Sequence, residues 1–404
     1  MTATGSAEGV PADHQPRAAV SGLVDAVVLG SGVNLIEVVR ALSIAGVRSG
    51  VVPGPAEPAR LSRHVTTVAV RDWADPQLGG EDEFVEKLVR YGLRQSAKPP
   101  LLFTSDEALL LVSAHRQRLA EAFRFVIARH TLVINCADKG QFAGLAARLG
   151  LPVPATLVLA PGTDWRVPDV AGVGFPLVLK PERRDRAWHS GLGIRGKALH
   201  LETPEELAAV WPALRELGQT ILLQRAVPGG EDRMESYHVY VDELGQVVGE
   251  FTGRKIRTLP TQYGHTTALV VDDAEDVRRC GQQLVAALGL VGVAKFDFKR
   301  DDDGRLHLLE VNPRFQLWHH PGARAGANIP DLVHADLTGR PRPPSAPRLR
   351  TVHWCHPDDW FAGRRQGLGR VAWARWALRC PAKAFWAWDD PLPLVAAGVK
   401  RARR

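Results

Sequence analysis

From Lys295 to Arg314 the chain reads Lys-Phe-Asp-Phe-Lys-Arg-Asp-Asp-Asp-Gly-Arg-Leu-His-Leu-Leu-Glu-Val-Asn-Pro-Arg, two alternating runs around an Asp-Gly pair. Asp303-Gly304 suits the two central positions of a type I′ hairpin loop, and pairing outward sets Asp297 opposite Glu310 and Lys295 opposite Asn312. Successive side chains of a strand point to opposite faces. Lys295, Asp297, Glu310 and Asn312 therefore share a polar face, while Phe296, Phe298, Leu309 and Val311 form the face turned toward a core. Directly opposed carboxylates, with Cβ atoms roughly 5 Å apart, repel unless a proton or cation lies between them. Two acids and an amide supply hard oxygen ligands, which suit Mg²⁺, an ion that also keeps waters and binds substrate phosphates. The competing reading is a solvated hairpin with surface charges.

At 404 residues, 45% of them hydrophobic, the chain can hold two or three packed domains. Apolar runs such as Leu101–Phe103 and Leu109–Val112 fall well short of the ~20 residues that a membrane span needs. Met1–Arg17 mixes small, polar and proline residues and reads as a disordered tail rather than a secretion signal. Cys136, Cys280, Cys355 and Cys380 are widely separated, with neither metal-ligand pairing nor a disulfide framework, so a reducing cytoplasm is the expected setting. The formal charge is +7, yet Phe361–Arg404 holds ten basic and two acidic residues. The basicity belongs to that tail, and no nucleic-acid-binding body is expected.

Doubly wound α/β organisation is expected first: an apolar strand near Ala26–Leu29, the turn Gly30-Ser-Gly-Val-Asn34, a helix over Leu35–Ala45 and a strand near Val51, continued by Leu101–Phe103 and a further helix. Gly30 and Gly32 lack the third glycine of a dinucleotide fingerprint and read as a tight strand-to-helix turn more readily than as a ligand contact, although the helix start could hold a carboxylate. Lys139–Leu149 is a helix closed by Gly150, and Phe175–Pro181 is a short buried strand ending in Lys180. Pro204–Leu217 is a helix capped by Thr203. Ile221–Ala226, Tyr237–Val241 and Val247–Phe251 read as strands, and Val277–Leu288 as a helix stopped by Gly289. The proline-rich run Gly339–Pro347 reads as a linker. Domains are accordingly expected over 1–21 (disordered tail), 22–134, 135–220, 221–339, 340–350 (linker) and 351–404 (a Trp/Arg-rich appendix).

Asp138-Lys139, Leu179-Lys180-Pro181, Ser190-Gly-Leu-Gly193, Gln224-Arg-Ala-Val227 and the Asp297/Glu310/Asn312 hairpin occur in the order found in ATP-grasp enzymes, which this chain resembles over roughly 24–340. Asp138-Lys139-Gly-Gln-Phe142, Gly253-Arg-Lys-Ile-Arg257 and Asn312-Pro-Arg314 make it most similar to the carboxylate–amine ligases that include D-aspartate ligases. The hairpin separates its acids by thirteen positions, where some relatives use twelve. The resemblance implies a pre-ATP-grasp α/β domain over 22–134, followed by an ATP-grasp fold of two α+β subdomains, small over 135–220 and large over 221–339.

It also implies a chemistry: ATP phosphorylates a carboxylate and an amine displaces phosphate from the acyl phosphate, so phosphate charge must be neutralised and water excluded. By resemblance, Lys139 and Lys180 contact nucleotide phosphates, and the loop bearing Ser190, Gly191 and Gly193 covers them with backbone N–H groups. Gln224, Arg225 and Val227 belong to the segment that reads adenine, and Glu231, with Asp232 as its rival, accepts from ribose hydroxyls. Asp297, Glu310 and Asn312 hold one or two Mg²⁺, or Mn²⁺ in its place. Arg314, Arg254, Lys255 and Arg257 stabilise transferred phosphoryl charge or clamp a substrate carboxylate. His319 and His320 read as a polar wall rather than metal ligands.

Arg364, Arg365, Arg370, Arg375 and Arg379, interleaved with Trp373, Trp376, Trp386 and Trp388, fit either a helix on an anionic membrane surface or, as the favoured reading, aromatic packing back onto the body. The expected function is an ATP-dependent ligase joining a small-molecule carboxylate to an amine, amino acids or a peptide. The alternative is a non-catalytic, membrane-peripheral ATP-binding module.

Overall fold

Short strand-forming runs, most of them buried on both faces, build the first layer of the computed structural model, which describes residues 23–73, 80–162, 170, 172–182, 188, 198–344 and 348–402. β1 (Ala26–Leu29), β2 (Ser49–Val52), β3 (Val65–Thr67) and β4 (Leu101–Phe103) form a parallel sheet in the order β3-β2-β1-β4. All four residues of β1 are buried, as expected of a central parallel strand covered by helices on both sides. The Gly30 turn serves close packing: its φ is +127°, and a Cβ there would lie 2.2 Å from Thr104 Oγ1. The helix that follows, Gly32–Ile44, receives a carboxylate of its own chain, because Gly32 N–H donates to Glu57 Oε2 at 3.0 Å.

A second, antiparallel sheet contains β5 (Thr156–Leu159), β6 (Leu177–Pro181), β7 (Leu199–Leu201) and β8 (Ile221–Arg225), ordered β5-β8-β6-β7. It packs its own core, in which Leu177, Leu179 and Leu223 meet Trp188, Leu207 and Leu214 of the flanking segments. The third sheet has seven strands in the order β13-β12-β9-β10-β11-β14-β15. Its members are β9 (Met234–Val241), β10 (Val247–Leu259), β11 (His265–Asp272), β12 (Gly292–Arg300), β13 (Leu306–Asn312), β14 (Val352–Cys355) and β15 (Ala382–Lys383). One continuous core joins the first and third sheets, running from Leu29 and Phe103 to Tyr237, Phe296, Phe298, Leu308 and Val311.

The segment after 350 does not stand apart as an appendix. β14 pairs antiparallel with β11 and extends the third sheet, and Arg342 in the expected linker binds Asp336 (2.6 Å) and Asp242 (2.8 Å). Asp390 near the C-terminus accepts from Ser62 Oγ at 2.7 Å and lies 3.5 Å from Arg40, bracing the first sheet. Trp373 and Trp376 pack inward, as the favoured reading of that stretch expects: Trp373 Nε1 donates to Asp359 Oδ2 (2.9 Å), and Trp376 lies under the Arg257 guanidinium (4.2 Å). Among the described residues no helix is long and apolar enough to cross a membrane.

Asp359 is fully buried and holds Arg257 bidentately at 2.8 and 2.7 Å, with Thr267 Oγ1 donating at 3.0 Å. Removing one partner of a buried ion pair strands the other charge. Asp359→Ala should therefore lower unfolding free energy by about 3–5 kcal/mol in urea titration.

Candidate active site

The β12–β13 hairpin carries Lys295, Asp297, Glu310 and Asn312, and its loop differs from the expected one. Asp301 N–H bonds Arg305 O at 3.0 Å and Gly304 N–H bonds Asp301 O at 3.1 Å, so Asp302–Gly304 form a three-residue loop with Gly304 at φ +82°. This loop places Phe298 opposite Leu308 rather than Leu309. An irregularity between Asp297 and Phe298 then absorbs Leu309 as an extra residue and restores the pairs Asp297–Glu310 and Lys295–Asn312. Leu308 consequently fills the core with no exposed surface, while Leu309, expected in that core, lines the cleft.

Asp297 is buried at 3% exposure. Its Oδ1 accepts from Ser236 Oγ at 2.9 Å and pairs with Lys295 Nζ at 2.7 Å; its Oδ2 is buried without a hydrogen-bond partner. Burial acts to raise this carboxyl, but the ammonium groups of Lys295 and Lys255 outweigh it and hold the group ionised, below its ordinary range. Next to it Asn312 Nδ2 donates to Glu310 Oε1 at 3.1 Å. A buried anionic oxygen with no donor, beside a second carboxylate and an amide oxygen, fits a hard divalent cation.

These groups line a cleft of about 350 Å³, a size typical of ligand pockets. Across it stand residues of the second sheet. Lys180, on β6, donates to Gln224 Oε1 at 2.8 Å, and Gln224 Nε2 donates in turn to Thr156 Oγ1 at 2.9 Å. Burial brings the Lys180 ammonium down to about 8 against the attraction of Glu310, with Lys139 adding to the fall. Lys139 begins the helix Lys139–Leu149, capped by Asp138, and its Nζ donates to the carbonyls of Pro181 (2.9 Å) and Glu182 (2.7 Å) at the end of β6. Arg225, Val227 and Glu231 line the same space, and Glu231 Oε1 accepts from Tyr263 N–H at 3.4 Å. Asp232, the rival of Glu231, is not among the cleft residues.

Of the four expected catalytic cations, Lys255 and Arg314 reach the cleft. Arg314 Nε donates to Asp106 Oδ1 at 2.6 Å and Nη2 to Asn312 Oδ1 at 3.3 Å, linking the first domain to the hairpin. Arg254 and Arg257 do not reach it. Arg254 points to the other face of β10, half-exposed and 3.8 Å from Asp272. Simple alternation would put Arg257 beside Lys255, but the register shifts between them and turns Arg257 to the buried Asp359. His319 and His320 are interior groups as well: burial pushes His319 down to about 3, and His320 Nδ1 meets the buried Glu37 at 2.8 Å. Ser190, Gly191 and Gly193 lie outside the described residues.

Lys299, Tyr263 and Asp106 also line the cleft and were not anticipated. Lys299 continues the alternation Lys295, Asp297, Lys299, a signal present in the sequence. Burial lowers its ammonium while Glu231 and Asp232 oppose the fall. Asp106 starts the helix Asp106–Ala114 in the first domain, and nothing local ties it to Arg314.

A family model described as "ATP-grasp in the biosynthetic pathway with Ter operon" matches residues 240–355. D-aspartate ligase of Enterococcus faecium is 25% identical over 301 residues, 71% of this chain and 70% of that enzyme. Residues 240–355 thus match an ATP-grasp family, and the fold is that of ATP-grasp enzymes. A D-alanine–D-alanine ligase of Alkalilimnicola ehrlichii is 30% identical over 188 residues, 45% of this chain and 57% of that enzyme. Among solved structures, an L-amino acid ligase from Bacillus licheniformis aligns with TM-score 0.55 at 16% identity, over 77% of this chain and 73% of that one. Biotin carboxylase from Campylobacter jejuni aligns with TM-score 0.57 at 15% identity, over 82% and 74%. These structural likenesses show the ATP-grasp fold, which ligases and carboxylases share; the sequence relatives are carboxylate–amine ligases.

The bulge makes a test by paired substitutions. Leu308→Ala should cost about 2–5 kcal/mol of unfolding free energy, whereas Leu309→Ala should cost less than about 1 kcal/mol in the same denaturation assay. A second test uses protonation. Lys180 is charged below about 8, and a polyanion such as ATP favours the charged form. ATP affinity should therefore weaken as pH rises through that value, and calorimetry in buffers of different ionisation enthalpy should show uptake approaching about one proton above it. Lys180→Met should abolish this uptake.

Proposed function

We propose that this protein is an ATP-dependent carboxylate–amine ligase that joins amino acids or a peptide through an acyl phosphate and releases ADP and phosphate. The observation that carries this reading is the convergence of the second and third sheets on one cleft: the oxygen ligands of β12 and β13, the cations Lys139, Lys180, Lys255 and Arg314, and the polar groups of the second sheet.

In this reading the nucleotide lies between the second and third sheets. Gln224, Arg225 and Val227 border the base, Glu231 accepts from the ribose, and Lys139 and Lys180 face the phosphates. Asp297, Glu310 and Asn312 hold Mg²⁺ or Mn²⁺, which when bound neutralises phosphate oxygens and orients the γ-phosphoryl group. Lys255 and Arg314 border the space where the substrate carboxylate attacks the γ-phosphorus as ADP leaves. The amine then attacks the acyl carbon, phosphate departs, and the amine gives up a proton. Lys299, beside Glu231, adds positive charge on the ribose side. Amino-acid substrates are inferred from the named relatives, D-aspartate and D-alanine–D-alanine ligases, each of which acts on amino acids by name.

The test is phosphate release from ATP and Mg²⁺ over a matrix of amino-acid and peptide pairs. A productive pair should release phosphate only when both partners are present. Glu310→Ala should reduce the rate on the order of 100-fold or more, because it removes a carboxylate that anchors the metal. If no pair exceeds that variant, the non-catalytic nucleotide-binding reading takes the place of the ligase.

A further inference from the structure

A second cluster of ligating side chains lies beside the cleft, built by the strand that the C-terminal segment adds to the third sheet. β14 pairs antiparallel with β11, with Ala268 opposite Cys355. Continuing that register brings His356 alongside Thr267, where His356 N–H bonds Thr267 O at 2.7 Å, and carries Asp358 toward His265 at the start of β11. His265 follows directly on Tyr263 and Gly264, which line the cleft.

The three side chains converge. His265 Nε2 lies 3.2 Å from Asp358 Oδ2, and His356 Nδ1 lies 3.6 Å from the same oxygen. One ligand atom from each residue falls within 4.8 Å of the other two. The imidazoles are 5.6 Å apart at 81° to each other, and Trp354 and Phe385 pack against His356, so its ring plane is fixed. Asp358 N–H donates to His356 Nδ1 at 3.1 Å, which selects the tautomer with an unprotonated Nδ1. The Asp358 amide uses that lone pair, and His265 Nε2 stands against the Asp358 carboxylate.

The spacing accommodates a metal. Four-coordinate sites with ligand distances near 2.0–2.1 Å place neighbouring ligand atoms about 3.3 Å apart; the two separations from Asp358 Oδ2 bracket that value, and all three ligand atoms lie within 4.8 Å of one another. Two imidazoles and one carboxylate select a borderline-soft ion such as Zn²⁺, Co²⁺ or Ni²⁺ over Mg²⁺, which prefers oxygen. We propose that His265, His356 and Asp358 form a binding site for a first-row transition-metal dication, separate from the oxygen-ligand set of Asp297, Glu310 and Asn312. On Nδ1 the ion takes the lone pair that the Asp358 amide now uses. Three protein ligands leave a fourth position for water, and His265, about half-exposed, lies on the open side. The bound ion ties the turn carrying Tyr263 to the segment after β14, tethering one wall of the nucleotide cleft.

The experiment uses untagged full-length protein, stripped with chelator and held in excess Mg²⁺, titrated with Co²⁺ and followed by visible absorption. One saturable equivalent is expected, with the strong d–d bands of four-coordinate Co²⁺, displaced by Zn²⁺. His265→Ala, at a half-exposed position, and Asp358→Asn should each weaken binding tenfold or more, while Asp297→Asn should leave it unchanged. Absence of a saturable equivalent, full binding in His265→Ala, or loss in Asp297→Asn would overturn the proposal. Because the ligase reading rests on the Asp297 set, it survives or fails independently of this result.

Discussion

The buried carboxylate of Asp297 is the constraint around which the rest is arranged. An ionised group at that depth is costly unless compensated, and Lys295 and Ser236 compensate only one of its oxygens. β12 can hold such a charge because it is an inner strand between β9 and β13, with Phe296 and Phe298 locked in the core behind it. The cost falls on a frame rigid enough to bear it, and the second oxygen stays committed to the cleft. Glu310 and Asn312 reach the same place because the hairpin bulge corrects a slip that its loop introduced.

Electrostatics then follow from where the sheets meet. The second sheet has its own core and brings Lys180 and Gln224 to the cleft from one side, while the first sheet shares a core with the third and the helix after its last strand supplies Asp106 to hold Arg314. Cations of the two sides face the carboxylates of the hairpin across a space of about 350 Å³. Lys180, lowered by burial, and Asp297, held ionised by its lysine neighbours, show the opposed effects of desolvation and opposite charge within one site. The C-terminal segment braces this arrangement from behind, through β14 and through Asp359, which engages Arg257, Thr267 and Trp373 together.

Much of this was legible in the chain because the signals were local. The helix Lys139–Leu149 and its Gly150 stop occur where a left-handed glycine puts them. The opposition of Asp297 to Glu310 was legible too, although by two deviations that cancel: a loop one residue longer and a bulge at Leu309. Lys299 was readable by extending the same alternation two residues further. Arg257 was not, because β10 bulges between Lys255 and Arg257 and alternation fails wherever a strand takes in an extra residue.

The sequence by itself determined the local elements, the polar face of one hairpin and the order of its charged motifs, since these depend on periodicity and turn chemistry over a few residues. Tertiary structure alone decided that Asp106 would clasp Arg314, that Asp359 would withdraw Arg257 from the cleft, and that residues after 350 would complete the main sheet. Those outcomes join positions from about one hundred to more than two hundred residues apart. The energy of burying a charge with its partner is settled only when the sheets have packed, and no local pattern encodes which partner that will be.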